Sequence, residues 1–295
     1  MEQREFGRTG IKVSALGFGG AEIGYEGVPA ATVHHLLNAA LDAGLTVIDT
    51  AECYPGSEEL IGRAVGHRRT DYHLFTKCGH KAGFDLPDWD LGLLERSIDR
   101  SLRLLRTDHV DLVQLHSCSE ELLRRGGVIE VLRKAKEAGK TRFIGYSGDS
   151  AAAHYAVECG AFDALQTSVN VADQEAIERT LPLAQQKGLG VIAKRPIANA
   201  AWRWAEKPEN WYYQAYWERL RALDYDWLKG DPAATALRFI LGVPGVGVAI
   251  VGTTRPERWR QNAAVVAKGP LPASEYEAIR KRWKEVTRPD WVGQT

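Results

Sequence analysis

Along the chain, short β-branched or apolar runs alternate with longer stretches whose apolar residues recur at helical spacing. The runs at 45–48, 72–76, 110–115, 142–146, 164–167, 189–193 and 248–251 read as strands buried on both faces, and 15–18 offers an eighth. Helical periodicity fills 30–43, 58–65, 91–105, 120–138, 151–159, 174–186, 233–241 and 256–266. Eight strands alternating with eight helices predict an α/β fold, a (β/α)8 TIM barrel. Gly44, Gly139, Gly160 and Gly188 each follow a helix and precede a strand, where a left-handed C-cap is wanted. Ser57 and Asp231 stand at N-cap positions, with Pro232 at the first helical position. The segment 6–13, centred on Arg8-Thr9-Gly10, reads as a hairpin placed ahead of the barrel to plug its floor.

One region breaks the rhythm. Between the seventh strand and the seventh helix lies a long insertion carrying Trp202, Trp204, Trp211, Tyr212, Tyr213, Tyr216, Trp217, Tyr225 and Trp227. It follows a strand's carboxyl end, the end at which barrels carry their active sites, so it is placed to cover a ligand. The plainer alternative is a packed helix with an aromatic face.

A length of 295 residues suits one barrel domain spanning 1–295. The 38 basic side chains balance 38 acidic ones, which removes the general electrostatic argument for a nucleic-acid partner. No apolar run approaches the roughly 20 residues that span a bilayer, and Met1-Glu2-Gln3-Arg4-Glu5 lacks the apolar stretch of a secretion signal, so a cytoplasmic protein without a membrane partner is expected. Cys53, Cys78, Cys118 and Cys159 show no metal-ligand or Cys-x-x-Cys spacing and read as free thiols of a reducing compartment.

Candidate chemistry sits at the ends of the second, third and fourth strands: Asp49 and Tyr54, Lys77, and His116. A barrel gathers such side chains around one axis. Together they can deliver a proton to a carbonyl oxygen. A free tyrosine, with a pKa of about 10, is a sluggish acid at neutral pH; a nearby Lys77 is expected to lower that pKa, with Asp49 holding the lysine charged. A neutral His116 can orient and polarise the carbonyl. Singly, such residues are more often helix caps, core or solvated surface.

The ordered quartet resembles that of the aldo-keto reductase superfamily, and the resemblance extends over nearly the whole chain. Asp49-Thr50-Ala51-Glu52-Cys53-Tyr54 with Ser57-Glu58 and Gly62, then Phe75-Thr76-Lys77 and Asp111-Leu112-Val113-Gln114-Leu115-His116-Ser117, are similar to that family's signature blocks, as Gly7-Arg8-Thr9-Gly10 and Gly17-Phe18-Gly19 are to its opening. The resemblance implies an NADPH-dependent barrel enzyme that reduces aldehydes or ketones by direct hydride transfer, with Tyr54 as proton donor, a small carbonyl compound as substrate and no metal. It also implies that Ser147 and Gln166 hold the nicotinamide carboxamide. Two positions depart from the family. Gly148 stands where an asparagine is usual, leaving one anchor missing or supplied by Asp149, and Lys194 or Arg195 replaces the tyrosine that stacks on nicotinamide.

Near the carboxyl end, Gly252-Thr253-Thr254-Arg255-Pro256-Glu257-Arg258 with Gln261-Asn262 is similar to the family's segment for the adenosine 2′-phosphate and adenine. A strand end leading into a helix N-terminus offers N–H groups to phosphate, and Arg255 or Arg258 can grip it, which favours NADPH over NADH. Trp202 or Trp204, nearest the strand end, is expected to wall the substrate. Gly139-Lys140-Thr141 resembles the end of a phosphate-binding loop, but Lys134 stands where that loop needs glycine.

Cys53, Cys78 and Cys118 lie close in sequence to Tyr54, Lys77 and His116, which raises oxidation sensing against inert burial, with Cys78 expected to face away from Lys77. Two rivals to the enzymatic reading are a cofactor-binding subunit that senses redox state for a partner, and a metal-dependent hydrolase using Asp49, His116 and His80. Substrate identity and oligomeric state have no signal in the sequence.

Overall fold

The computed structural model describes residues 1–294. Strands β1 (Gln3–Glu5) and β2 (Lys12–Ser14) pair antiparallel as the expected hairpin. The parallel strands β3 (Leu16–Gly19), β4 (Val47–Asp49), β5 (His73–Cys78), β6 (Val110–His116), β7 (Thr141–Ser147), β8 (Ala164–Ser168), β9 (Gly190–Lys194) and β10 (Val248–Val251) follow one another around a closed barrel, and β10 returns beside β3. The helices are α1 (Ala21–Tyr25), α2 (Ala30–Asp42), α3 (Ser57–Val65), α4 (Leu91–Leu105), α5 (Glu120–Arg125), α6 (Gly127–Glu137), α7 (Ser150–Glu158), α8 (Glu175–Gln186), α9 (Trp211–Leu223), α10 (Pro232–Leu241), α11 (Pro256–Val266) and α12 (Ala273–Val286). None is long and apolar enough to cross a membrane among the described residues.

Period-two alternation divides each barrel strand between two cores. Val47, Phe75, Leu112, Ala164, Ile192 and Val248 point into the barrel, whereas Ile48, Leu74, Val113, Leu165, Val191 and Ala249 meet the helices outside. The hairpin closes the floor by adding Phe6, Ile11 and Val13 to the inner cluster, with the Phe6 ring stacked 5.5 Å from Phe75. Close approach is the condition for this plug: a Cβ on Gly190 would lie 2.5 Å from the Phe6 ring.

The glycine C-caps hold, with φ of +88° at Gly44, +74° at Gly139, +71° at Gly160 and +70° at Gly188. Asp231 accepts from the Ala234 amide as the N-cap of α10. Ser57 is not a cap. Gly56 takes that place with φ +70°, and the Ser57 hydroxyl donates to the Gly20 carbonyl at 2.7 Å, tying α3 to the end of β3. The stretch expected as one helix over 120–138 breaks into α5 and α6 because Gly126 adopts φ +79°. α1 and α12 lie outside the expected elements; α12 closes over the chain's carboxyl end, burying Ile279 and Trp283.

The Phe6→Ala substitution leaves an unfilled space on the barrel floor, and a loss of about 3–5 kcal/mol is expected. Chemical denaturation measures it; a loss under about 1 kcal/mol would show that the hairpin is not part of the barrel core.

Candidate active site

The alternation that buries the floor also builds the site. Two residues beyond each inward apolar side chain, toward the strand's carboxyl end, stand Asp49 after Val47, Lys77 after Phe75, Gln114 after Leu112, Gln166 after Ala164 and Lys194 after Ile192. A polar layer therefore lies directly above the apolar plug. His116 is one further step along β6.

Lys77 is 1% exposed and lies at the centre of this layer. Its Nζ donates to Asp49 Oδ2 at 2.5 Å and to the Thr50 carbonyl at 2.8 Å. Asp49 Oδ1 accepts from Gln166 Nε2 at 2.9 Å and Gln114 Nε2 at 3.2 Å, and the Ser147 hydroxyl donates to Gln166 Oε1 at 2.9 Å. The pair is thus buried with its hydrogen-bonding capacity largely satisfied, the condition under which a buried ion pair is tolerated. Gln114 is a site residue that sequence reading did not single out; its inward phase on β6 was the available signal.

Tyr54 follows in the loop after β4. Lys77 Nζ is 5.1 Å from the centroid of its ring, and the ring meets His116 edge-on at 5.7 Å. The expected lowering of the phenol's pKa is not what this arrangement gives. Burial first and then the neighbouring Asp49 carboxylate hold the Tyr54 hydroxyl well above its ordinary value. His116 behaves as expected. Burial, with the positive charges of Lys77, Lys194 and Arg195 around it, pushes the imidazole well below its usual range and keeps it neutral.

The other signature residues hold this loop in place. Glu58 Oε1 accepts from Thr76 Oγ1 at 2.6 Å, Ser57 and Thr50 hydroxyls lie 2.9 Å apart, and Gly62 lets α3 approach α4 so closely that a Cβ would lie 2.2 Å from the Leu104 carbonyl oxygen.

Above the layer opens a cavity of about 930 Å³, lined by Asp49, Tyr54, His116, Ser147, Gln166, Lys194 and Arg195 among others. That size suits a ligand cleft. The aromatic insertion is both lid and packed helix: α9 buries Tyr216, whose hydroxyl donates to Asp173 Oδ2 at 3.0 Å, while Tyr212 and Tyr213 at its amino end line the cavity with Trp202. Trp204 does not reach it. Its ring packs 4.4 Å from Tyr213 and its carbonyl accepts from Trp217 and Arg221, so the turn carries it away from the opening. Tyr212, whose ring lies 5.4 Å from the Arg195 guanidinium, takes the place expected for a second tryptophan.

Gly252, Thr253, Arg255, Arg258 and Asn262 line the far end of the same cavity. Gln261 is exposed and outside it, because its position on α11 faces solvent while Asn262 faces in. Two guanidinium groups, a hydroxyl and a carboxamide form a donor set that suits a phosphorylated adenosine. Glu22, absent from the sequence-based expectations, also lines this end, and burial pushes its carboxyl up to about 7.

At the end where nicotinamide is expected, Asp149 is engaged within the protein. It is buried, with Oδ1 accepting from Thr167 and from the Ser168 amide and Oδ2 2.9 Å from Lys194 Nζ, so it holds Lys194 and Arg195 in place. Gly148 has a steric reason: a Cβ there would lie 2.4 Å from the Tyr146 hydroxyl, which is engaged with the Cys118 carbonyl.

The rival metal set of Asp49, His116 and His80 is not formed, since Asp49 is committed to Lys77 and two glutamines and His80 Nδ1 pairs with Asp88 at 3.0 Å. Cys78 and Cys118 face the outer core, Cys78 pointing away from Lys77 as expected. Burial pushes the Cys53 and Cys118 thiols up to about 12 and the Cys78 thiol well above its ordinary value, which favours inert burial over oxidation sensing.

Comparison with known proteins gives the class to which this barrel belongs. The profile of the Aldo/keto reductase family matches residues 15–284. The chain belongs to that family and is an NAD(P)H-dependent oxidoreductase. It is 30% identical to the L-galactose dehydrogenase of Arabidopsis thaliana over 100% of this chain and 99% of that one. The structure of aldo-keto reductase AKR11C1 from Bacillus halodurans in its holo form superposes with a TM-score of 0.84 at 25% identity, covering 99% of each chain. A putative voltage-gated potassium channel subunit beta of Schizosaccharomyces pombe is 30% identical over 66% of this chain and 61% of its own.

Burial raises the Glu52 carboxyl to about 8 and those of Glu22 and Asp173 to about 7. Above pH 7 the unfolded chain has already lost these protons and the folded chain still holds part of them, so stability falls as pH rises from 7 to 8.5. His116, whose lowered pKa acts in the opposite sense, matters only below about 6.5. Thermal denaturation across that window is expected to show the fall, and the Glu52→Gln variant a shallower one; a rise in stability would contradict these environments.

Proposed function

We propose that the protein reduces an aldehyde or ketone to the alcohol with NADPH, reversibly, and that Tyr54 delivers the proton. The observation that carries this reading is the meeting of Tyr54 and His116 at the floor of the cavity, directly over the Lys77–Asp49 pair. NADPH, when bound, supplies the hydride. Arg255, Arg258, Thr253 and Asn262 are the residues that would hold its phosphorylated adenosine, which favours NADPH over NADH. Ser147, Gln166, Lys194 and Arg195 surround the nicotinamide end, with Lys194 and Arg195 in place of a stacking ring.

The remaining chemistry belongs to the chain. Neutral His116 donates a hydrogen bond to the carbonyl oxygen and fixes its direction. Its Nδ1 lies 3.4 Å from Cys53 Sγ, and when the thiol donates there the ring proton sits on Nε2, toward the cavity. As negative charge collects on the substrate oxygen, the incipient alkoxide approaches hydroxide in basicity, whose conjugate acid has a pKa of about 15.7. That oxygen takes the proton from a phenol that is otherwise held protonated. The phenolate left behind faces the Lys77 ammonium, which stabilises it until a proton returns from solvent. Trp202, Tyr212 and Tyr213 wall the substrate and exclude water. The same reading places the enzyme in a reducing cytoplasm, where its four cysteines stay free.

The likeness to a channel subunit favours a second reading, a cofactor-binding subunit that reports redox state to a partner. Turnover separates the two. A panel of aliphatic, aromatic and sugar-derived carbonyl compounds, followed by NADPH absorbance, is expected to reveal a reduced substrate. The Tyr54→Phe variant is expected to bind NADPH nearly as the parent does while turnover falls about 10²-fold or more. Full activity in that variant would overturn the assignment.

A further inference from the structure

Beside the cavity, His116 meets two side chains that do not line it. Glu52, Cys53 and His116 each offer a ligand atom, and the three atoms lie within 4.8 Å of one another. Cys53 Sγ is 3.4 Å from His116 Nδ1. Zinc bonds of about 2.3 Å to sulfur and 2.0 Å to nitrogen at a tetrahedral angle place those atoms about 3.5 Å apart, so this pair already has the spacing of two ligands on one ion.

Glu52 supplies an independent observation. It is 8% exposed, and its Oε1 accepts from the His80 amide at 3.0 Å, while Oε2 is buried without a hydrogen-bond partner. An unpartnered buried carboxylate oxygen is costly, and a cation satisfies it. Thiolate, imidazole and carboxylate together suit zinc and its relatives rather than magnesium or calcium. The charges also balance, since a dication meets the thiolate and the carboxylate left once Cys53 and Glu52 give up their protons, and the Lys77 ammonium nearby is answered by Asp49. The fourth position of a tetrahedral ion is left to water.

We propose that Glu52, Cys53 and His116 form a binding site for a thiophilic divalent cation of the zinc class. Coordination releases to solvent the Cys53 thiol proton and the proton that burial keeps on Glu52, and joins sulfur and a carboxylate oxygen to the metal; no electron is transferred. The ion takes His116 Nδ1, the atom that faces Cys53, and on the proposed reading leaves the Nε2 proton directed toward the cavity. The binding itself does not depend on the reading.

Cobalt(II), a spectroscopic substitute for zinc, tests the site in the full chain without any turnover measurement. Titration of the reduced protein is expected to give one cobalt per chain, with a sulfur-to-cobalt charge-transfer band and the intense visible bands of a four-coordinate ion, all abolished by added zinc. In Cys53→Ser the charge-transfer band is expected to vanish. In Glu52→Gln it is expected to persist with at least tenfold weaker affinity, and in Cys159→Ser, remote from the site, to be unchanged. Thermal midpoints of the apo variants establish that each is folded. Absence of the band in the parent protein, or its survival in folded Cys53→Ser, would overturn the proposal.

Discussion

The ion pair between Lys77 and Asp49 is the interaction on which the rest of the site depends. Removing two charges from water costs several kcal/mol for each, and close contact alone does not recover it. The chain offsets that cost with fixed partners on neighbouring strands: the Thr50 carbonyl for the ammonium, and the Gln114 and Gln166 carboxamides for the carboxylate. Those partners connect β4, β5, β6 and β8 across the barrel. The network therefore fixes the relative placement of the residues that surround the proposed reaction centre.

The position of this network follows from the barrel's geometry. Side chains of alternate residues fill the interior from below with Phe6, Phe75, Leu112 and their neighbours, so the first polar residues in the same phase have nowhere to sit but directly above an apolar floor. Lys77 and Asp49 consequently meet in a dry place, where charge acts strongly. That dryness also explains the protonation states. Tyr54 keeps its proton and His116 stays neutral, because burial penalises both charged forms. The site at rest is an uncharged phenol and imidazole over an internally neutral pair, able to respond when negative charge appears in the cavity.

The strands and the quartet were legible in the sequence because they rest on short-range signals: runs of apolar residues, glycine punctuation, and reactive side chains at strand ends. The same strand phase that carried Lys77 also carried Gln114, but a glutamine inside a motif gives no chemical signal of its own. Trp204 and Gln261 were misplaced because their orientation depends on a turn geometry and a helical phase that neighbouring residues do not encode. Asp149 looked available to a ligand until Lys194 and Arg195, distant in sequence, were seen to occupy it. The direction of the Tyr54 pKa was illegible for a similar reason: it is set first by burial and then by the nearby Asp49 carboxylate, neither of which the adjoining residues encode. Gly148 stands apart, since its cause is the Tyr146 ring two residues earlier, folded back over it.

The most direct test of the central claim is the single-turnover rate of hydride transfer from bound NADPH in the Lys77→Met variant, with a carbonyl substrate the parent enzyme reduces. Asp49 retains two carboxamide donors there, and the measurement is made below the variant's thermal midpoint. If the ammonium is what stabilises the Tyr54 phenolate, NADPH still binds and the transfer rate falls by about 10²-fold or more. A rate within a few fold of the parent's would contradict the account.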